Sequence, residues 1–390
     1  MIEPKLRFKA DDGSQFPDWE EKTIDEVAEC LDNKRVPVNS EERKKRVGII
    51  PYYGAGGIQG YIDDYLFDEE LVLLLEDGDA FDDFQTKSIA QYVTGKSWVN
   101  NHAHVLRANG NSYFLFASLE HKDIRRWTQL AGASRKKLLK DSMLKITVNM
   151  PSFPEQQKIA DFLSTIDTVI EKQKETVSAW EERKKGVMQK LFSREVRFKA
   201  DDGSAFPEWE KKPFGDVVSE YKMKTKVENE DTLLSCAING VFLNSELFGH
   251  QRGQSNIGYL KIKKGTLILS AQNLHLGNAN VNLKFEHGII SPAYKTYDIV
   301  GCSAEYMSQW MKWDMTKQFF YNATTVGASE CRRNVDWNML YSQLFAVPCL
   351  AEQQKIADCL LALDEVIKNQ KATLSAWEEL KKGLLQQMFV

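Results

Sequence analysis

The sequence predicts a mixed α+β / α/β chain: two globular domains joined by two long antiparallel coiled-coil helices, with an internal pseudo-twofold repeat. Three observations carry that prediction. Residues 6–29 and 196–219 are identical at 14 of 24 positions. Residues 155–192 and 352–389 are identical at 24 of 38 positions. The blocks between these repeats differ almost throughout. One scaffold, used twice, carries two different inserts.

In chain order, residues 1–150 hold the first head and insert and 151–193 the first long helix. Residues 194–347 hold the second head and insert, and 348–390 the second long helix. Phe8, Phe16 and Trp19 in one head, with Phe198, Phe206 and Trp209 in the other, are expected to pack against helix ends. The second head directly follows Phe192, so the repeat puts the first head beside Phe389.

The inserts mix short apolar runs with glycine-rich turns such as Gly54-Ala55-Gly56-Gly57, which reads as small, strand-rich α/β domains. The helices show a sustained heptad. Its seam runs through Ile159, Leu163, Ile166, Ile170, Gln173, Val177 and Trp180 in one copy. In the other it runs through Ile356, Leu360, Leu363, Ile367, Gln370, Leu374 and Trp377. Apolar residues at alternating steps of four and three make a coiled-coil seam. Ser152 and Glu155 predict a capping box with Pro154 in the first turn. Cys349 and Ala351 replace Ser152 and Pro154 in the second copy, which predicts a weaker start there.

The formal net charge is −4. Its distribution matters more. Residues 30–150 sum to +1 and residues 221–347 to +3, leaving −8 on everything else. Near-neutral to basic inserts thus sit in an acidic frame that suits protein partners and repels phosphate. Basic clusters mark the candidate DNA contacts: Arg43, Lys44, Lys45 and Arg46; Arg135, Lys136 and Lys137; Arg332 and Arg333. The last two clusters each follow a Gly-Ala-Ser, at 132–134 and 327–329. Lys and Arg neutralise phosphates, and Arg also pairs bidentately with guanine.

Several classes are disfavoured. No apolar run is long enough for a membrane span, and the start lacks a signal-peptide core, so a cytoplasmic protein is expected. The six cysteines include no C-x-x-C pair and read as reduced thiols. No Asn-Pro-Pro-aromatic tetrad, H-E-x-x-H or G-x-S-x-G is present, so no catalytic residue is assigned. Gly95-Lys96-Ser97 imitates the end of a phosphate loop without its first glycine or a following helix pattern. His102 and His104 lack nearby ligand-type residues in sequence and read as strand histidines, so no metal site and no cofactor are assigned.

With the duplication, the P-x-x-x-E-Q-Q-K-I-A motifs starting at Pro151 and Pro348, and the Trp-containing heads in place, the chain resembles the DNA specificity subunits of type I restriction–modification enzymes over nearly its full length. Trp98-Val99-Asn100-Asn101-His102-Ala103-His104 and Gly288-Ile289-Ile290-Ser291-Pro292 look like stretches of their target-recognition domains. The resemblance implies a non-catalytic protein whose two target-recognition domains each read half of a bipartite site in double-stranded DNA. The helices would set the spacer and bind two modification subunits that methylate adenine with S-adenosylmethionine. Restriction subunits using ATP and Mg would join these in a complete system. The rival reading is a stand-alone coiled-coil adaptor whose inserts bind proteins, which near-neutral inserts permit.

Overall fold

The computed structural model describes residues 4–131, 135–248, 255–329 and 332–389. The chain is mixed helix and strand and divides into two compact units. The first is Met1–Lys174 with Ala372–Val390, and the second is Glu175–Lys371. Two 40-residue helices, Phe153–Phe192 and Leu350–Phe389, each contribute to both units. No helix among the described residues is long and apolar enough to cross a membrane.

In the first unit the core sheet is antiparallel, ordered Ala28–Cys30, Ala103–Ala108, Leu71–Leu75, Ala90–Val93. Leu71–Leu75 is buried along its whole length, as expected of an inner strand covered on both faces. A second sheet sets Gly57–Ile62 beside Ile50–Gly54, then Lys96–Val99 in parallel, then Phe67–Asp68. The short helix Ser112–Leu119, capped by Asn111, is buried on every side.

The second unit repeats this plan on unrelated sequence. Its core sheet is ordered Val218–Glu220, Tyr294–Ile299, Leu267–Ser270, Ala279–Val281, and its short helix is Ala304–Trp310. The hairpin Leu234–Ala237/Gly240–Leu243 answers to Ile50–Gly54/Gly57–Ile62. A parallel bridge from Leu233 to Ile289 answers to the parallel pairing of Tyr52 with Trp98. The two stretches singled out in the sequence, at Trp98 and at Gly288, therefore occupy the same place in the two units.

Each head strand pairs with the strand that leads into a long helix: Glu20–Thr23 with Thr147–Met150, and Glu210–Pro213 with Leu344–Val347. Within each unit the long helices run antiparallel. Lys381 Nζ meets Asp167 Oδ1 at 2.9 Å in the first unit, and Lys184 Nζ meets Asp364 Oδ1 at 2.6 Å in the second. These are repeat-equivalent pairs. The first head lies where the second helix ends, as expected: Leu6 N–H donates to Gln387 O at 3.1 Å, and the Trp19 ring stands 6.2 Å from that of Phe389.

Two expectations need correction. The Ser152 hydroxyl is buried without a hydrogen-bond partner, so the capping box is not made. Glu155 turns instead to the head, as described below. The second helix consequently starts as firmly as the first: Cys349 O accepts from the amides of Glu352 and Gln353 at 3.0 Å, as Ser152 O does from Glu155 and Gln156. Gly95 (φ +67°) turns between two strands with no helix following, which removes the phosphate-loop geometry.

Candidate nucleic-acid interface

The repeated E-Q-Q-K sequence is a set of four fasteners, used twice. Glu155 is fully buried. It accepts from Arg7 at 3.1 and 2.9 Å and from the Trp19 indole N–H at 3.2 Å. Glu352, also fully buried, accepts from Arg197 at 3.0 and 2.8 Å and from Trp209 at 3.0 Å. A forked guanidinium on a carboxylate is a strong, directional bond, and burial makes each partner costly to remove. Gln156 and Gln353 donate to Pro151 O and Pro348 O and accept from the backbone N–H groups of Asn111 and Ser303, the caps of the short insert helices. Gln157 and Gln354 brace Asp161 and Asp358 at 2.8 Å. Lys158 and Lys355 donate to the carbonyls of Lys9 and Lys199. Head, insert and helix thus meet at one point in each unit.

The seam residues differ in burial. Ile159, Leu163, Ile166, Ile170 and Val177, with Ile356, Leu360 and Ile367, are buried, whereas Gln173, Trp180, Leu363, Gln370, Leu374 and Trp377 are half-buried.

Of the basic candidates, Arg43, Lys44 and Lys45 end the helix Ser40–Lys45 and Arg46 caps it, with Glu41 and Glu42 in the first turn. Charges of these signs suit the two ends of a helix dipole. Arg43 lies over the Tyr52 ring at 4.8 Å, and Arg46 lies over Trp98 at 4.5 Å and pairs with Asp63 at 2.8 Å. Lys44 pairs with Glu41 at 2.7 Å, and Lys45 is exposed.

The other clusters lie on matching hairpins, Thr128–Ala131/Arg135–Leu138 and Thr324–Ser329/Arg332–Val335. The Gly-Ala-Ser at 132–134 falls outside the described residues. Its counterpart at 327–329 is the end of a strand with a register shift between Val326 and Ser329. Lys136 pairs with Asp82, and Lys137 with Glu76 at 3.0 Å. Arg333 donates to Thr324 Oγ1 and O at 2.7 and 2.8 Å and lies over Tyr321 at 4.1 Å. The side chains of Arg135 and Arg332 fall outside the described set. Most described candidates are therefore held by neighbours of their own, which aims them rather than leaving them to swing.

One cluster has the donor set of a metal site: Asp32, Glu76 and His104. Its ligand atoms are already committed. His104 Nδ1 lies 2.6 Å from Asp32 and its Nε2 2.9 Å from Leu138 O. Arg35 pairs with Asp32 at 3.2 Å and with Glu76 at 2.6 Å. This is an ion-pair core that ties the first basic hairpin to the sheet. Burial pushes the Asp32 carboxyl up. The His104 bond and charge, the Val105 N–H and Arg35 outweigh it, leaving the group below the ordinary 3.8.

Residues 17–178 match the family described as the type I restriction modification DNA specificity domain. A Haemophilus influenzae protein named as a type I restriction enzyme specificity subunit is 38% identical over 157 residues, which are 40% of this chain and 38% of that protein. Residues 17–178 therefore carry a type I restriction modification DNA specificity domain. A Methanocaldococcus jannaschii type I restriction enzyme specificity subunit is 23% identical across 97% of this chain and 94% of its own. The fold is that of the S subunit of a type I restriction–modification system from M. genitalium, with a TM-score of 0.61, 13% identity, and 100% and 99% of the two chains covered.

The family match stops at residue 178, and the second unit carries the same fasteners, so one scaffold is present twice. Sequence reasoning singled out the Trp-containing heads and the E-Q-Q-K start but missed that Arg7 and Trp19 converge on Glu155. Their co-occurrence in both repeats was the available signal, since Arg7 and Arg197 fall within the paired heads.

Proposed function

We propose that this chain is the sequence-reading subunit of a type I restriction–modification complex, non-catalytic itself, whose two units each read one half of a bipartite duplex site. Its partners are double-stranded DNA and two modification subunits, with restriction subunits joining in a complete system. S-adenosylmethionine, and ATP with Mg, belong to those partners. The observation that carries the proposal is one scaffold, fastened by the same hydrogen bonds twice, that presents two inserts of like topology and unlike sequence. A shared frame with different faces is what two readings of one kind require. Arg43, Lys44, Lys45, Arg46, Arg135, Lys136, Lys137, Arg332 and Arg333 are the proposed phosphate contacts.

The test is binding of the full chain, with its modification subunits, to duplex DNA over a range of salt. Affinity should fall steeply as salt rises, because phosphate contacts release counterions. Binding that ignores salt, or no binding to duplex, would favour the protein-binding adaptor.

A further inference from the structure

In both units a side-chain amide on the edge strand of the core sheet holds the turn of the small hairpin. Gln91 Nε2 donates to Gly54 O at 3.2 Å and Ala55 O at 3.1 Å. Asn280 Nδ2 donates to Ala237 O at 2.7 Å. The two amides occupy the same point of the fold. Gln91 pairs with Leu73, which pairs on its other side with Val105; Asn280 pairs with Ile268, which pairs with Thr296. The turns are equivalent too, since each follows the strand that makes the parallel bridge to Trp98 or Ile289. No sequence identity links these positions, so an unlike sequence has arrived at the same device in each insert.

What the device fixes is a tip that buries little. Ile58, on the return strand just past Gly57, is 51% exposed, and Ile238, within the second turn itself, is 58% exposed; each is followed by an exposed amide, Gln59 or Asn239. Space in front of the first tip is open: a Cβ at Gly56 would meet nothing within 4 Å. Gly57 (φ +113°) and Gly240 (φ +150°) take backbone angles that side-chain-bearing residues avoid, so the turns are sharp. Gln59 lies across Gly54 and accepts from Asn100 at 3.3 Å, so its amide is aimed. Cations stand on the same hairpin, with Arg43 over Tyr52 and Arg46 paired to Asp63. An apolar group beside an amide is what a thymine methyl and an adenine edge would meet in a major groove.

We infer that these two tips are the base-reading elements of the two units, with Ile58, Gln59, Ile238 and Asn239 meeting base edges and Gln91 and Asn280 as positioning residues. The inference rests on the DNA-reading function proposed above.

The experiment uses the full chain with its modification subunits, selection from a randomised duplex library, and sequencing of methylated adenines. Variants are Gln59→Ala and Asn239→Ala at the tips, and Gln91→Met and Asn280→Leu, which keep bulk and charge but cannot donate. Gln59→Ala and Gln91→Met should lower base discrimination roughly tenfold in one half of the site. Asn239→Ala and Asn280→Leu should do so in the other half, and all four should keep the wild-type salt slope because no phosphate contact is lost. Asn239→Ala should melt as wild type does; Gln59→Ala removes the acceptor of the buried Asn100 amide, so its selection is read at a temperature where its melting curve shows it folded. If the wild type selects no bipartite sequence, the functional reading itself fails. If it selects one and the tip variants leave both halves unchanged, or alter both alike, the assignment of these tips is wrong.

Discussion

Glu155 and Glu352 show how much a single side chain can carry in this protein. Each is a fully buried carboxylate whose charge is met by one guanidinium and one indole N–H. Glu155→Ala should leave Arg7 beside an empty site and Trp19 without its acceptor, costing about 3–5 kcal/mol, read as a lower urea midpoint. Glu155→Gln should cost less, because an amide oxygen still accepts from the indole. Asp32 makes a pH-dependent counterpart. Its carboxyl is held below 3.8 in the folded chain, so its stabilisation is present above that pH and is lost as pH falls through the folded value. Denaturant titrations of Asp32→Asn should therefore show a deficit near neutrality that closes below about pH 3.8. A deficit that stays constant through acid would show that the charge on Asp32 is not what stabilises the network.

Among the elements, the long helices owe part of their pairing to ions placed among apolar seam residues. Lys184 meets Asp364, and Lys381 meets Asp167 and, at 3.0 Å, Glu120. A slip of either helix by one turn would separate a largely buried cation from its acid, so these pairs penalise other registers. A double-mutant cycle on Lys184→Met and Asp364→Leu should give a coupling of about 0.5–3 kcal/mol. Each single variant should be worse than the pair, because the double change removes the Lys184 and Asp364 charges together and leaves only Lys312, which is well exposed and meets Asp364 at 3.5 Å in the wild type. Strict additivity in the unfolding free energies would mean that the ion pair contributes nothing to pairing. Heptad spacing made the helices legible, and Lys184 and Lys381 continue it four residues past Trp180 and Trp377, but spacing names no partner for them. Their partners sit outside the apolar stripe, where periodicity has no reach.

For the whole molecule, the proposed function would make the inserts exchangeable parts. Each insert meets its frame through backbone pairing and the glutamine fastener, and also through side-chain contacts such as Lys381 with Glu120. Replacing residues 30–150 with the corresponding insert of another family member should change one half of the methylated site and leave the other as it was. Single-molecule sequencing of host DNA reads this directly. If both halves changed together, the two readings would not be independent.

The sequence by itself determined the duplication, the two long helices, the near-neutral inserts in an acidic frame, and the resemblance to the specificity family. These are carried by identity and period, which survive without coordinates. It could not show that Glu155 abandons the predicted capping box for Arg7, because the competing donor is 148 residues away in the chain. Nor could it show that Lys136, Lys137 and Arg333 are already paired. The likeness of the two inserts was equally hidden. Gln91 and Asn280 share no neighbouring identity and become equivalent only through sheet register, because hydrogen bonding between distant strands fixes which side chains face the same turn.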